Sequence, residues 1–419
     1  MTSTNPVDVL VIGAGPAGST AAYWLAQHGH RVTVLERRDF PRSKACGDAL
    51  TPRAVQQLDD MGLHDASERW HRHDGLRIRA GEREVEVRWP QHPRQAGHGL
   101  VVRRRELDEL LAAHAGRAGA RVLHGHDAIE PIVERGFVRG AVVRNAVGDH
   151  SRLEAAYIVV ADGASSVFGR ALGTFRTRGW PFATAIRSYW ESPRHDEPFI
   201  EASFDLCDRA GNALPGYGWV APVGDGTVNL GVGLLSTARD FRGTNVAHLL
   251  DDHVAAMADR WGLEADRPTG VVRIGRIPMG GSVRSVRPSA GPTYLVVGDA
   301  AGVASPFTGM GIDTAMETGR MAADVLHEAI TEGGPSALQR YPRLLDEAYA
   351  EHDKLGRLFA RLAGRPSAMR QVSNAMVRSH LLADLVLRIT SGSLRHAHLG
   401  APEAIDRLAR AAAKLAPDA

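Results

Sequence analysis

Residues Asp8 to Glu36, DVLVIGAGPAGSTAAYWLAQHGHRVTVLE, set out an apolar strand, a glycine turn, a helix and a second strand that ends on an acid. Val9 to Ile12 are aliphatic without alternation, the pattern of a strand buried on both faces of a parallel sheet. Gly13, Gly15 and Gly18 follow as G-x-G-x-x-G. The first glycine permits the tight turn, the second lets a pyrophosphate approach the backbone, and the third lets the helix pack closely on the strand. A helix from Pro16 or Ala17 to about His28 aims its free N–H groups and positive dipole end at that phosphate. Glu36 follows a strand from Arg31 to Leu35 and is placed to accept hydrogen bonds from a ribose diol, which favours FAD or NAD(H) over NADP(H). The unit alone leaves FAD and NAD(H) both open.

A chain of 419 residues is too long for one ordinary core. Its 44% hydrophobic and 23% charged residues are those of a soluble globular protein. Lys plus Arg number 50 against 48 for Asp plus Glu, so no bulk charge marks a nucleic-acid binder. The two cysteines, Cys46 and Cys207, form no spaced framework, and no apolar leader precedes Val7, so a reducing cytoplasm is expected. No run of eighteen apolar residues predicts a membrane span.

Beyond the opening unit, DFPRSKACGDALT is a basic, turn-rich loop that opens a helix near Pro52, and that helix N-terminus is placed to lower the pKa of Cys46. The alternative reading of Cys46 is a small buried hydrophobe. GLRIRA and REVEVRW alternate as a half-exposed antiparallel pair, and Arg103, Arg104 and Arg105 open an amphipathic helix, as a phosphate site or a solvated face. YIVVADGASSVFGR ends a buried strand on Asp162-Gly163, at the sheet edge where ligands bind in open α/β folds. From Trp180 to Ile277, β-branched and aromatic runs between turns predict a mostly antiparallel sheet. Tyr217 and Trp219 lie two apart there and so share a face, as core or as the wall of an apolar pocket. TYLVVGDAAG is a buried strand ending on Gly298-Asp299, and Gly309 and Gly311 open the next helix with bare N–H groups. From about Tyr341 the chain is helical. Its stretch NAMVRSHLLADLVLRI reads as a packed terminal helix, a lid, a dimer helix or a membrane-surface helix. The pairs His71/His73 and His396/His398 have no carboxylate or cysteine beside them, so no metal site is expected.

The fold class expected is α/β: a Rossmann-type FAD-binding domain (1–75, 100–178 and 290–330), an inserted, mostly antiparallel β-sheet substrate domain (76–99 and 179–289), and a helical C-terminal region (331–419). Three separated motifs, G-x-G-x-x-G ending on Glu36, the internal Asp162-Gly163 and the late Gly298-Asp299 leading into P-x-x-G-x-G, resemble the flavoprotein fold of the aromatic-hydroxylase type. KACGDALTPRAV (44–55), VVRRRELD (101–108), VADGASS (160–166), LPGYGWVAPVGDGTVNLGVG (214–233) and GDAAGVASPFTGMGID (298–313) are similar to the geranylgeranyl reductase family, most of all to its actinobacterial menaquinone side-chain reductases. The resemblance implies FAD, held by Gly13, Ala14, Gly15, Ala17 and Gly18 at the pyrophosphate and by Glu36 and Arg37 at the adenosine ribose. It implies that Arg104, Asp162, Gly163 and Asp299 steady the dinucleotide, and that Gly47, Gly309, Gly311 and Ile312 face the flavin ring. Cys46 becomes a catalytic candidate beside that ring, and Tyr217, Trp219, Phe307 and Met310 line an isoprenoid pocket.

Two positions depart from the family pattern. G-E-G-I is here Gly309-Met310-Gly311-Ile312, and W-x-F-P is Trp219-Val220-Ala221-Pro222. Reduction of an isoprenoid C=C by reduced FAD is the reaction implied, with a terpenoid epoxidase or hydroxylase acting through a flavin hydroperoxide as the alternative, which the apolar Met310 suits. The external donor is NAD(P)H or a protein or quinol carrier. No residue stands out as a proton donor. The oligomeric state stays open, as does peripheral contact with the inner face of the membrane.

Overall fold

The computed structural model describes residues 7–177, 180–279, 286–363 and 365–391. Val7–Ile12 lies at the centre of the first sheet, parallel to Val32–Glu36 on one side and to His150–Val160 on the other. Arg121–His124 extends the sheet beyond Val32–Glu36, and Tyr294–Val296 adds a parallel strand beside the second half of His150–Val160. The first half of that long strand pairs antiparallel with Phe137–Arg144, which pairs with Asp127–Glu134. The sequence does not single out Asp127–Glu134 as a strand, because Pro131 sits inside it; as the sheet's edge it tolerates the missing N–H.

Helices Pro16–Gln27 and Ile312–Glu328 cross on one face of this sheet, over Val9, Val11, Val34, Val159 and Leu295. They touch backbone to backbone: a Cβ on Gly319 would lie 2.3 Å from the Ala17 carbonyl oxygen. That approach accounts for Gly319, Ala322 and Ala323 along one stripe of the late helix. On the other face Leu10, Ile12, Leu35, Ile158 and Val160 meet Val138, Ala141, Val143 and Phe168.

The second sheet runs Arg273–Ile277, Ala183–Glu191, Thr227–Leu235, Gly216–Pro222, Phe199–Ser203, Gly75–Ala80, Arg83–Arg88, so the early hairpin joins the late strands. Helix Val246–Trp261 covers it, setting Leu250, Val254, Met257 and Trp261 against Val228, Leu230 and Val232. The stretch Asn374 to Ile389 is split between two helices, Pro366–Met376 and His380–Thr390, the second capped by Ser379 Oγ. They pack Met376, Ala383 and Leu387 on Ile78, Val87 and Trp89, whereas Arg340–Ala363 puts Tyr341, Leu345 and Tyr349 on the first core. No helix among the described residues is long and apolar enough to cross a membrane.

A small sheet of Ala49–Leu50, Gly99–Val101 and His71–His73 lies at the seam. His73 is fully enclosed there: its Nε2 meets the Leu50 carbonyl at 3.2 Å and its Nδ1 accepts from Trp89 Nε1 at 3.3 Å, which suits the neutral ring. Burial pushes its pKa down from 6.5 to about 4, and burial does the same to His253. Below pH 6.5 the unfolded chain takes up protons that these two rings refuse, so their contribution to stability is full above that pH and is lost as pH falls toward 4. The loss is roughly 3 kcal/mol per ring at most. Thermal melts between pH 7 and pH 4.5 are expected to show a steep fall in the wild type and a shallower one in His253→Gln, and equal slopes would contradict this origin.

Candidate functional site

One cleft of about 1040 Å³ runs between the two sheets. It begins at Gly13, Gly15 and Glu36, passes Cys46, Asp299 and Met310, and ends among Tyr217, Phe307 and Met376. Small-molecule sites span about 300–1,000 Å³, so the cleft lies at the top of that range.

The narrow end fits a dinucleotide. Gly13 has φ +102°, and a Cβ there would lie 2.5 Å from the Ala161 carbonyl oxygen; a Cβ on Gly18 would lie 1.9 Å from that of Gly13. Gly15 precedes helix Pro16–Gln27, and the nearest group to its missing Cβ is Arg42 Nη2 at 3.7 Å, which leaves backbone bare toward the cleft. Ala14 and Ala17 are buried beside it. Glu36 is buried, accepts from Ala14 N at 3.2 Å and meets Arg42 at 3.2 Å. Arg42 also meets Asp108 at 2.8 Å, and Arg104 binds Asp108 through two hydrogen bonds of 2.8 and 2.9 Å. Burial works against the Arg104 charge and the Asp108 carboxylate supports it. Arg42 has no sequence signal beyond its place in a basic loop, yet it ties Glu36 to the Arg104 pair. Of the neighbouring arginines, Arg37 lines the cleft, Arg103 turns to Asp225 at 2.7 Å, and Arg105 is exposed.

Asp162 and Gly163 line the cleft after their strand. Asp162 Oδ2 accepts from Phe168 N at 2.9 Å, while Oδ1 is buried with no partner among the described residues, and burial raises the carboxyl. Burial would raise Asp299 too, but Lys44 Nζ at 3.0 Å from its Oδ2 holds it below the usual range. Gly309 adopts φ +74°, and Gly311 with Ile312 begins helix Ile312–Glu328 on the cleft wall. Two glycine-led helix N-termini thus open on one space, with an unsatisfied buried carboxylate oxygen between strand and helix. Such a donor and acceptor set matches ribose hydroxyls and a diphosphate. Its reach from Glu36 to Gly311 matches a cofactor longer than the first unit covers.

At the junction, Asp48 is fully buried with φ +61°. It accepts from Tyr189 OH, from Asn229 Nδ2 at 2.8 Å and from Arg104 N at 3.3 Å. The same Asn229 amide donates to the Cys46 carbonyl at 2.9 Å, and its Oδ1 accepts from Trp219 Nε1 at 3.1 Å. Sequence reading missed Asn229 and Tyr189, whose partner lies 181 and 141 residues away. It is corrected on the Cys46 thiol: the helix at Pro52 is capped by Thr51, and burial pushes the thiol pKa up, with Arg104 opposing and Asp48 adding.

The wide end is apolar. Tyr217 and Trp219 both face it with ring centroids 6.1 Å apart, Phe204 stands 5.9 Å from Tyr217, and Tyr217 OH donates to the Thr308 carbonyl at 2.5 Å. A Cβ on Gly47 would lie 3.3 Å from Trp219 Nε1. Phe307 packs on Phe359 at 5.5 Å, and Met310, Met369, Met376 and Leu387 complete the wall. No metal-ligand cluster occurs among the described residues, and His396 and His398 lie outside them.

A dinucleotide cradle opening into an apolar chamber defines an FAD-dependent oxidoreductase. The FAD binding domain family matches residues 6–204. A menaquinone reductase of Mycolicibacterium smegmatis is 37% identical over 91% of this chain and 90% of its own length. A digeranylgeranylglycerophospholipid reductase of Methanopyrus kandleri is 32% identical over 82% of this chain and 87% of its own. A solved geranylgeranyl bacteriochlorophyll reductase-like protein of Thermoplasma acidophilum superposes with a TM-score of 0.75 at 25% identity, covering 89% of this chain and 92% of that one. The chain belongs to the geranylgeranyl reductase family of flavoproteins.

Removing the Asp48 carboxylate strands three donors in a dry site. Asp48→Ala is expected to cost about 1–3 kcal/mol or more in urea unfolding, with Asp48→Asn milder. The raised Cys46 pKa predicts slower alkylation by iodoacetamide in the folded protein than in urea at every pH below 9, and faster native alkylation would reveal a thiolate.

Proposed function

We propose that the protein reduces C=C bonds of an isoprenoid or polyprenyl substrate with electrons delivered through FAD. The observation that carries this reading is the aromatic and thioether chamber that continues the dinucleotide cradle without a break. Bound FAD supplies, once reduced, a hydride for one alkene carbon, and a proton added to the other completes the saturated bond. The names of the menaquinone and digeranylgeranylglycerophospholipid relatives support the substrate class.

In this reading Gly13, Ala14, Gly15, Ala17 and Gly18 hold the diphosphate and Glu36 with Arg37 the adenosine ribose. Arg104, Asp162, Gly163 and Asp299 fix the rest of the chain of the cofactor, and Gly47, Gly309, Gly311 and Ile312 frame its ring. Tyr217, Trp219, Phe307 and Met310 orient the isoprenoid and exclude water, since each buried CH₂ contributes about 0.8 kcal/mol. Cys46 lines the cleft at the junction, beside the ring's place, with its thiol pKa raised by burial. Tyr217 OH donates to the Thr308 carbonyl, and burial pushes its pKa up to about 12. Electrons come from NAD(P)H or from a protein or quinol carrier. A polyprenyl lipid resides in a bilayer, so the protein works at the cytoplasmic face of the membrane in peripheral contact.

The test is to photoreduce FAD-loaded protein without oxygen and add a polyprenyl quinone. Reoxidation with a product two mass units heavier is expected. No turnover until oxygen enters, followed by a gain of sixteen, would overturn reduction in favour of oxygenation, the reading that Met310 in place of a glutamate suits. Truncating the wall with Tyr217→Ala is expected to lower kcat/KM by about tenfold or more, near 1.4 kcal/mol, at unchanged FAD content.

A further inference from the structure

Saturating a C=C takes a proton as well as a hydride, and the protic side chains of the chamber differ in what they have left to give. Tyr217 OH is engaged by the Thr308 carbonyl at 2.5 Å, and Trp219 Nε1 by Asn229 Oδ1 at 3.1 Å. Met310 stands where the family pattern has a glutamate, so the turn from Ser305 to Met310 offers no carboxylate. Thr308 is different. Its Oγ1 accepts from Met310 N at 3.2 Å, which fixes the side chain, and its own hydroxyl hydrogen has no acceptor among the described residues. The turn is closed by Ser305 N on the Met310 carbonyl at 2.7 Å and by Gly309 N on the Ser305 carbonyl at 2.9 Å, so the hydroxyl is held in one place.

Behind this turn lies a second, small cavity of about 10 Å³. Thr308 and Met310 line both it and the chamber, so the turn is the partition between the two spaces. The cavity wall is polar: Arg53 comes from helix Pro52–Asp60, Asp313 and Thr314 from Ile312–Glu328, and His352 and Asp353 from Arg340–Ala363. A buried water needs about 10–15 Å³ of such space and two to four polar partners, so the cavity admits one molecule. Its fixed charges are occupied with one another, since Asp313 accepts from Thr51 Oγ1 at 3.0 Å and stands 3.7 Å from Arg53, which pairs with Glu317 at 2.5 Å. His352 is the group that faces outward. It is half-buried where Arg53, Asp313 and Asp353 are buried, and its ring lies 5.0 Å from that of Phe307, the neighbour of Thr308.

We propose that this cavity holds one water that, with the Thr308 hydroxyl, carries a proton from solvent at His352 to the second alkene carbon of the substrate. The Thr308 O–H bond breaks as the new C–H bond forms, and Oγ1 takes a proton from the water in the same event, so no alkoxide has to persist beside an apolar chamber. The imidazolium of His352 returns a proton to the water and regains one from solvent. The hydride carries the electron pair and the relay carries the proton, so the alkene gains two hydrogens with no reductant consumed beyond reduced FAD. The inference rests on the alkene reduction proposed above, which is the reaction that calls for a proton at carbon.

The test is a single anaerobic turnover of photoreduced, FAD-loaded protein with a polyprenyl hydroquinone. Its ring is already reduced, so the product two mass units heavier reports saturation of the side chain alone. T308V keeps the shape and removes the hydroxyl; it is expected to form product about tenfold more slowly or worse, with FAD content and reoxidation by ferricyanide matching the wild type. T308S, which keeps the hydroxyl, is expected to recover most of the rate. H352A is expected to be several-fold slower and to be restored by added imidazole, a recovery that a purely structural loss would not show. Wild-type rates in T308V or in H352A would overturn the relay while leaving alkene reduction standing. A loss confined to Cys46→Ala would overturn it in favour of the thiol, and so would a crystal structure of the FAD-loaded protein with no ordered water in the cavity count against it. If the wild type itself forms no saturated product, the alkene reading falls and the relay with it.

Discussion

The arrangement depends on one buried carboxylate. Asp48 has no access to solvent, and a charge in that position persists only when its oxygens are fully engaged. Its partners come from far-apart parts of the chain: Arg104 N from the start of the helix Arg104–Arg117, Tyr189 and Asn229 from neighbouring strands of the second sheet. Tyr189 is itself held between two guanidinium groups, Arg103 at 4.2 Å and Arg187 at 4.5 Å from its ring. The cofactor half and the substrate half are therefore bolted together at the point where Cys46 and Trp219 meet. Asn229 then transfers that constraint outward, to the Cys46 carbonyl and the Trp219 indole.

Beneath the cradle a second polar chain, Glu36, Arg42, Asp108 and Arg104, alternates in sign and is almost wholly enclosed. Alternation lets each buried charge stand beside its opposite, and it fixes the long basic loop after Glu36 across the helix that begins at Arg104. Hydrophobic packing does the rest of the positioning. The crossing at Ala17 and Gly319 draws the two glycine-led helix N-termini onto one cleft, so that both dipoles point into one space.

Local chemistry made part of this legible in sequence. The glycines at 13, 15 and 18 are required by backbone contact, and the alternation of Gly75 to Arg88 announces an antiparallel pair, so both can be read from a few adjacent residues. Tyr217 and Trp219 share a face because strand geometry demands it. What could not be read was remote or environmental. Asn229 and Tyr189 look like ordinary strand residues until Asp48 is brought to them, and Arg42 looks like one more loop arginine. The Cys46 pKa was read from a nearby helix, but enclosure outweighs that dipole, and enclosure is not local. Pro131 hid an edge strand, and Ser379, a cap in the fold, hid the break between the last two described helices.

The C-terminal helices also impose an order in time. Everything the cradle needs, from Val7 to the Ile312–Glu328 helix and the tyrosines of Arg340–Ala363, precedes the segment that closes the chamber. Synthesis runs from the N-terminus, and domains fold as their residues emerge. Residues 366–390 leave the ribosome last among these, and with them the groups that close the apolar end of the cleft. Met369 and Met376 then complete a wall of pliable thioethers over a cleft whose other sides are already set, which lets the finished chamber adjust to its contents without disturbing the cradle.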